Sequence, residues 1–424
     1  MSTEKLYTGS CLCGGIHYEI HGEIGEIIEC HCQRCRKANG TAFATNAPIQ
    51  KADFKIQLLY DNHKFHHFPK IMTNPNTSAP ILVTGATGYI ASWVIKNLLE
   101  QGHTVHSTVR DLNKTHTFQH LTDIAAKSTG NLELFQANLL EEGAFDVAMQ
   151  GCEIVLHMAS PFVVTNYKDA IKDIIEPAVI GTENVLNSVN RTASVKRVVV
   201  TSSIAATYGD AIDILTTTNN CFDESHWNTS SSPEHQPYPY SKVAAERKAW
   251  EMAQAQTRWD LVCINPALVL GPSLTKNTQS GSVEVLLQFA NGMTLAGVPA
   301  MWNGIVDVRD VADAHIQAAL NPAAEGRYII SGGTLSLLEM GKILAQHFGR
   351  KYPFPRNQLP KFAFKAFGPL LGFSRKFVEL NMGYPIYFNA EKSQRELGMH
   401  YRNIETSLIE HFQQLIDDGI VKKR

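Results

Sequence analysis

The chain has no apolar run of the ~18–20 residues that a membrane-spanning helix requires, and charged residues occupy Met1–Thr8 where a signal peptide would carry its apolar stretch. A cytoplasmic protein is therefore expected. Blocks of like charge are also missing. Lys and Arg number 38 against 40 Asp and Glu, a formal net charge of −2, which leaves no electrostatic footprint for nucleic acid or an anionic membrane. A small-molecule partner is the remaining default. Cysteine is scarce past the beginning: after Cys35 only Cys152, Cys221 and Cys263 occur, too few for a disulfide framework. Cys11, Cys13, Cys30, Cys32 and Cys35 crowd together instead, and in a cytoplasmic chain such crowding points to metal binding before disulfides. Internal repeats and low-complexity segments are absent.

What is present is bulk. The 424 residues, 44% of them hydrophobic, exceed what one core usually organises, so at least two folded units are expected. Residues 1–56 alternate in short strand-like runs at Ile16–Ile20, Ile24–Glu29 and Phe54–Leu59, a small Cys-rich β module. Residues 57–79 mix turn formers and polar side chains and read as a linker. At Ile81 the character changes to a short buried strand, a glycine-containing turn and a helix over Tyr89–Gln101. Strands at Thr104–Val109, Leu132–Gln136, Ile154–His157, Lys196–Thr201 and Leu261–Asn265 then alternate with helical stretches. That alternation predicts an α/β fold, a doubly wound Rossmann sheet of parallel strands covered on both faces. Residues 80–270 would form the nucleotide-binding domain, and residues 271–424 a smaller substrate-binding region interleaved with it.

Thr84-Gly85-Ala86-Thr87-Gly88-Tyr89-Ile90-Ala91 follows the first of these strands and opens the helix. Gly85 would permit the tight turn, Gly88 the close approach of backbone to a pyrophosphate, and Ala91 helix-on-strand packing, with amide donors at the helix start. The candidate phosphate-binding set is Thr84, Gly85, Thr87, Gly88, Tyr89 and Ile90. The next strand ends in Val109-Arg110-Asp111. A site for NAD would place a carboxylate there for the ribose 2′-hydroxyl; Arg110 suits the 2′-phosphate of NADP. Tyr238 and Lys242 lie four apart and share a face of any helix through them. An ammonium beside a phenol would lower its pKa from about 10 and fit it for proton transfer.

The motifs TGATGYIA (Thr84–Ala91), TVRD (Thr108–Asp111), HMASP (His157–Pro161), TSS (Thr201–Ser203), YPYSK (Tyr238–Lys242), NPALVLGP (Asn265–Pro272) and DVRDVADAH (Asp307–His315) occur in that order. Together they resemble the extended short-chain dehydrogenases of the NAD-dependent epimerase/dehydratase superfamily, within the branch of dihydroflavonol, cinnamoyl-CoA and microbial aldehyde reductases. The resemblance covers about Pro80–Asp418. It implies an NAD(P)-dependent oxidoreductase acting on CH–OH groups, with Tyr238 as general acid, Lys242 as ribose anchor and Ser203 as carbonyl orienter, Ser202 being the runner-up. It further implies cofactor contacts at Asn138 and Leu139 beside the adenine, Met158, Ala159 and Ser160 under the cofactor, Thr201, and Pro266 with Val269 at the nicotinamide. Asn138 departs from the Asp usual there. A homodimer through the helix containing Tyr238–Ala255 is another family habit. By its own composition, which mixes Lys361, Lys365, Arg375 and Lys376 with many apolar residues, Leu359–Phe377 reads as a cap over the substrate pocket, with a helix on a membrane surface as the alternative.

Gly9-Ser10-Cys11-Leu12-Cys13-Gly14-Gly15 and Cys30-His31-Cys32-Gln33-Arg34-Cys35 resemble a second family, the glutathione-dependent formaldehyde-activating enzymes, which are carbon–sulfur lyases. The resemblance implies zinc on Cys30, Cys32 and Cys35 and a second zinc on Cys11 and Cys13. The Cys-x-x-Cys that completes the latter set is missing, because the chain passes into the linker first. A truncated remnant of the lyase fold is the expectation; a zinc-binding structural module and an active lyase are the alternatives. For the whole chain, the expectation is NADPH-dependent reduction of an aldehyde or ketone. The competing readings are a nucleotide-sugar epimerase or dehydratase using NAD, and a protein that senses NADP without turnover.

Overall fold

The computed structural model describes five short N-terminal strands and then residues 79–160, 167–276, 281–368 and 372–423. The chain divides into two compact units, Met1–Met72 and Thr73–Arg424. In the first, Leu6–Ser10 pairs antiparallel with Ile16–His21, which pairs antiparallel with Phe54–Leu58. Ile28–Cys30 pairs antiparallel with Ala44–Asn46. Of the expected strand Ile24–Glu29, residues 24–27 lie outside the described residues, and the rest falls in the strand Ile28–Cys30. Of the five clustered cysteines only Cys30 falls on a described strand, and the expected zinc set lies outside the residues whose side chains are described.

The second unit is built on seven parallel strands. Five match the sequence reading closely: β1 (Ile81–Val83), β2 (Thr104–Val109), β3 (Asn131–Gln136), β4 (Ile154–His157) and β5 (Arg197–Thr201). The sixth is β6 (Asp260–Pro266). After it the chain adds β7 (Leu268–Leu270), β8 (Trp302–Asp307), β9 (Gly326–Ile330) and β10 (Gly333–Ser336). The large sheet runs β9-β6-β5-β4-β1-β2-β3 with every pair parallel, and β7, β8 and β10 form a smaller mixed sheet. Chain order reverses between β1 and β4, and an open α/β sheet binds ligands at such a switch point, beyond the strands' carboxyl ends. The edge strand β9 comes from the C-terminal half, so the two regions share one sheet.

Helix α1 (Tyr89–Glu100) shows why these segments fold as they do. Ala91, Val94, Ile95, Leu98 and Leu99 are buried and recur at the spacing of one helix face. That stripe packs into the core cluster that includes Ile81 and Val83 of β1, each Val, Ile or Leu in it contributing roughly 1.5–3 kcal/mol of burial. The helix ends one residue before the expected Gln101, which serves as its C-cap. Among the described residues no helix is long and apolar enough to cross a membrane. The C-terminal segment folds into short helices α8 (Lys361–Phe367) and α9 (Arg375–Asn381), numbered after α2 (Gln119–Ala125), α3 (Glu176–Arg191), α4 (Pro237–Gln254), α5 (Gly281–Asn291), α6 (Val308–Leu320) and α7 (Leu337–Phe348).

Candidate active site

The glycine loop is shaped by close packing. Gly85 has φ +76°, and a Cβ there would lie 2.9 Å from Ala159 Cα; a Cβ on Gly88 would meet the Gly85 carbonyl at 3.2 Å. Gly88 is the extended N-cap of α1 and provides no side-chain cap, so the first-turn amides face out beside two exposed residues, Thr87 and Gly88. A loop that lacks a Cβ at Gly85 and Gly88, against an uncapped helix start at a topological switch point, fits a pyrophosphate. Thr84 acts differently from its neighbours. Its buried hydroxyl accepts from the amides of Met158 and Ala159 at 3.0 Å each and turns its proton to His157 Nδ1 at 3.0 Å. Thr84 therefore ties β1 to the end of β4 and offers the cofactor no free side chain. The Tyr89 hydroxyl is likewise engaged, donating to the Gly271 carbonyl.

Arg110 stands exposed at the end of β2. Asp111 does not pair with it: Asp111 accepts from Asn113 N at 2.9 Å and lies 4.0 Å from Lys114 Nζ. Asn138 uses its side chain on its own turn, donating to Glu141 at 2.8 Å and accepting from Leu140 N at 3.2 Å. Leu139 packs against Gly181 of α3. The Thr201 hydroxyl meets His315 Nε2 at 2.7 Å, while His315 Nδ1 donates to the Val311 carbonyl at 2.7 Å. Pro266 is buried and Val269 half-buried. Residues 161–166, which follow Ser160 in the chain, lie outside the described residues.

The two serines separate cleanly. Ser202 is buried and donates to Glu246, a carboxylate that also takes Asn265 Nδ2 at 2.8 Å and Arg327 Nε at 2.6 Å. Ser203 caps the short turn Ile204–Ala206, its Oγ accepting from Ala205 N at 3.1 Å, which leaves its proton to donate elsewhere. Tyr238 enters at the start of α4, behind Gln236 in the left-handed conformation and Pro237, and α4 packs against the Ile204–Ala206 turn. Lys242 Nζ lies 5.4 Å from the Tyr238 ring centroid and donates to Ser160 Oγ at 3.0 Å. Burial lowers Lys242 to about 8 and pushes the Tyr238 phenol up to about 12. The direction at Tyr238 is opposite to the lowering expected from the sequence, because desolvation of phenolate outweighs the nearby cation.

A cavity of about 200 Å³ is lined by residues that include Ala205, Gln236, Pro239, Trp302, Asn303 and Phe377, and Gln236 and Pro239 lie on either side of Tyr238 in the chain. Its lining holds no lysine, arginine, histidine or acid. Sequence reasoning missed the network behind it. Glu246 follows Tyr238 and Lys242 by eight and four residues and so shares their helix face, a signal that was there to be read. Arg327 carried none: it arrives on β9, 81 residues away from Glu246.

A model of the NAD dependent epimerase/dehydratase family matches residues 81–331, and a model of the glutathione-dependent formaldehyde-activating enzyme matches residues 6–67. A cinnamoyl-CoA reductase of Medicago truncatula is 36% identical over 347 residues, 81% of this chain and 98% of the relative. The yeast methylglyoxal/isovaleraldehyde reductase Gre2, solved with NADPH, matches with a TM-score of 0.64 and 25% identity, covering 80% of this chain and 98% of its own. Gre2 of Candida albicans, also solved with NADPH, matches with a TM-score of 0.64 and 28% identity over 80% of this chain and 99% of its own. With the sheet order, the glycine loop and these relatives in agreement, the chain belongs to the NAD dependent epimerase/dehydratase family.

Proposed function

We propose that this protein is an NADPH-dependent reductase that converts an uncharged aldehyde or ketone to the alcohol, with Tyr238 as proton donor, Lys242 as ribose anchor and Ser203 as carbonyl orienter. The observation that carries the reading is a cavity with no charged side chain in its lining, which includes Ala205, two residues after Ser203, and Gln236 and Pro239, on either side of Tyr238 in the chain. NADPH, when bound, supplies the hydride to the carbonyl carbon. Ser203, its oxygen already accepting from Ala205 N, keeps its proton and donates a hydrogen bond to the carbonyl oxygen, holding that oxygen toward Tyr238. Tyr238 then gives its phenolic proton to the same oxygen as negative charge develops there, a transfer worth typically ~10²–10⁴-fold in rate. A phenol held at about 12 stays protonated at neutral pH, as an acid in the reductive direction must.

The Gly85–Ile90 backbone is assigned to the pyrophosphate, and Arg110, exposed and free of ion pairs among the described residues, to the 2′-phosphate. The same cation disfavours an NAD-using epimerase. Met158, Ala159, Ser160, Pro266 and Val269 are assigned to the nicotinamide side; Thr84 and Thr201 support the site through the bonds their hydroxyls make to His157 and His315. Work in the cytoplasm and dimerisation through α4 belong to this reading. The N-terminal module, as a remnant of the lyase fold with or without zinc, has no part in the chemistry.

Oxidation of NADPH and NADH by the purified protein against uncharged aromatic and aliphatic aldehydes and ketones tests the proposal. NADPH-dependent turnover is expected, and Tyr238→Phe should remove it, leaving NADPH binding intact. Undiminished turnover in that variant would sink the mechanism.

A further inference from the structure

We propose that Asn381 is a specificity-determining residue of this active site: its side-chain amide clamps α9 onto the segment Gly209–Ala211 and thereby sets the apolar wall of the substrate pocket. The inference rests on the reductase reading above. Asn381 closes α9 and is only 6% exposed. Its Nδ2 donates to Asp210 at 2.6 Å and to the Phe377 carbonyl at 3.2 Å. Its Oδ1 accepts from Ala211 N at 3.0 Å and from Gln236 Nε2 at 3.4 Å.

These partners fix the orientation of the amide, since the oxygen must face a backbone N–H and the nitrogen a carboxylate. No other side chain of this size does both. Aspartate would set a second carboxylate against Asp210, and leucine would leave Ala211 N without its acceptor. Asp210 is itself held from behind: it is 1% exposed, and His235 Nε2 donates to both of its oxygens, at 2.9 and 2.8 Å. The clamp therefore has a rigid anchor.

Its position argues for a role in recognition beyond simple cohesion. Gly209, Ala211, Gln236, Phe377 and Asn381 all line the cavity. Gln236 immediately precedes the helix that carries Tyr238. Phe377 lies one turn before Asn381 on α9, so the two share a face, and anchoring the second aims the first into the pocket. The clamp joins the loop after β5, the entry to α4 and the cap around the space a substrate's body would fill.

Asn381→Leu separates this role from general stability when hydrogen exchange across residues 375–381 is measured alongside kinetics on a small aliphatic and a bulky aromatic aldehyde. The expected result is lost protection in α9 and a KM for the small aldehyde raised roughly ten- to hundredfold, with kcat and the NADPH Kd within about twofold of the unsubstituted protein. Unchanged protection in α9 overturns the clamp, and a fall in kcat and NADPH affinity at constant KM overturns the specificity role. Phe377→Ala, which leaves the amide and its partners in place, should move preference toward the bulky aldehyde; an unchanged ranking counts against the proposal even if Asn381→Leu does not fold. Absence of turnover by the unsubstituted protein would remove the reductase reading and the specificity role with it, while exchange in α9 would still report on the clamp.

Discussion

Tyr238 and Lys242 respond to the same surroundings in ways that suit opposite tasks. Withdrawal from water disfavours whichever form is charged, so it raises the phenol to about 12 and lowers the ammonium to about 8. Between about pH 8 and pH 12 Lys242 gives up its charge while Tyr238 keeps its proton. Lys242 loses charge as pH rises, so kcat/KM for the carbonyl at saturating NADPH should be level below about pH 8 and fall about tenfold per unit above it. A profile that stays level to about pH 10 would show that the Lys242 charge is not needed. The spacing of Tyr238 and Lys242 made the pair legible in the sequence. The direction of the Tyr238 shift was not, because it depends on how much of the chain packs around the phenol. Ser203 and Ser202 illustrate the same limit: adjacent in sequence, they diverge because one caps a turn and the other is drawn to Glu246, 44 residues on.

The strand–loop–helix unit around Gly85 couples local conformation to long-range packing. Gly85 has a left-handed φ and its α-carbon faces the backbone of Ala159 at the end of β4, which Thr84 holds in place through three hydrogen bonds. A β-branched residue meets both objections at once, in backbone strain and in a 2.9 Å contact that neither strand can relax. Gly85→Val should cost about 1–3 kcal/mol of stability and weaken NADPH binding by tenfold or more, read by a denaturant midpoint and a fluorescence titration. Binding unchanged from the parent would mean that the pyrophosphate sits elsewhere. The glycine pattern was visible in the sequence, as were the strands β1, β2 and β4, whose apolar runs are short and unambiguous. The seventh strand β9 was not anticipated: Gly326–Ile330 lies in the C-terminal region, and only the match of its register to Val262–Pro266 makes it part of the sheet.

Across the molecule, three buried imidazoles make the folded state sensitive to acid. His157, His315 and His411 are each held near 4 by burial, with the Lys242 charge adding to the effect at His157. Released into water they would titrate at about 6.5. Between these values the unfolded chain binds protons that the folded chain does not, so stability is fully present above about pH 6.5 and declines as pH falls toward 4. Thermal unfolding at pH values between about 7 and 4 should show a falling Tm, and His315→Asn should flatten that slope. A Tm independent of pH over this window would mean that the imidazoles are hydrated in the fold.

The order of strands and helices, the phosphate loop, the tyrosine–lysine pair and the basic residue at the end of β2 were written in local patterns, because each depends on residues within a turn or two of one another. Tertiary structure alone decided which serine keeps a proton to donate, that the Thr84 and Thr201 hydroxyls meet His157 and His315, and that Glu246 and Arg327 meet behind the site. It also decided that Asn381 and Phe377 line the same pocket as Ala211, which lies 170 residues before Asn381. Those outcomes turn on burial and on contacts between distant segments, and neither quantity is a property of any short stretch of chain.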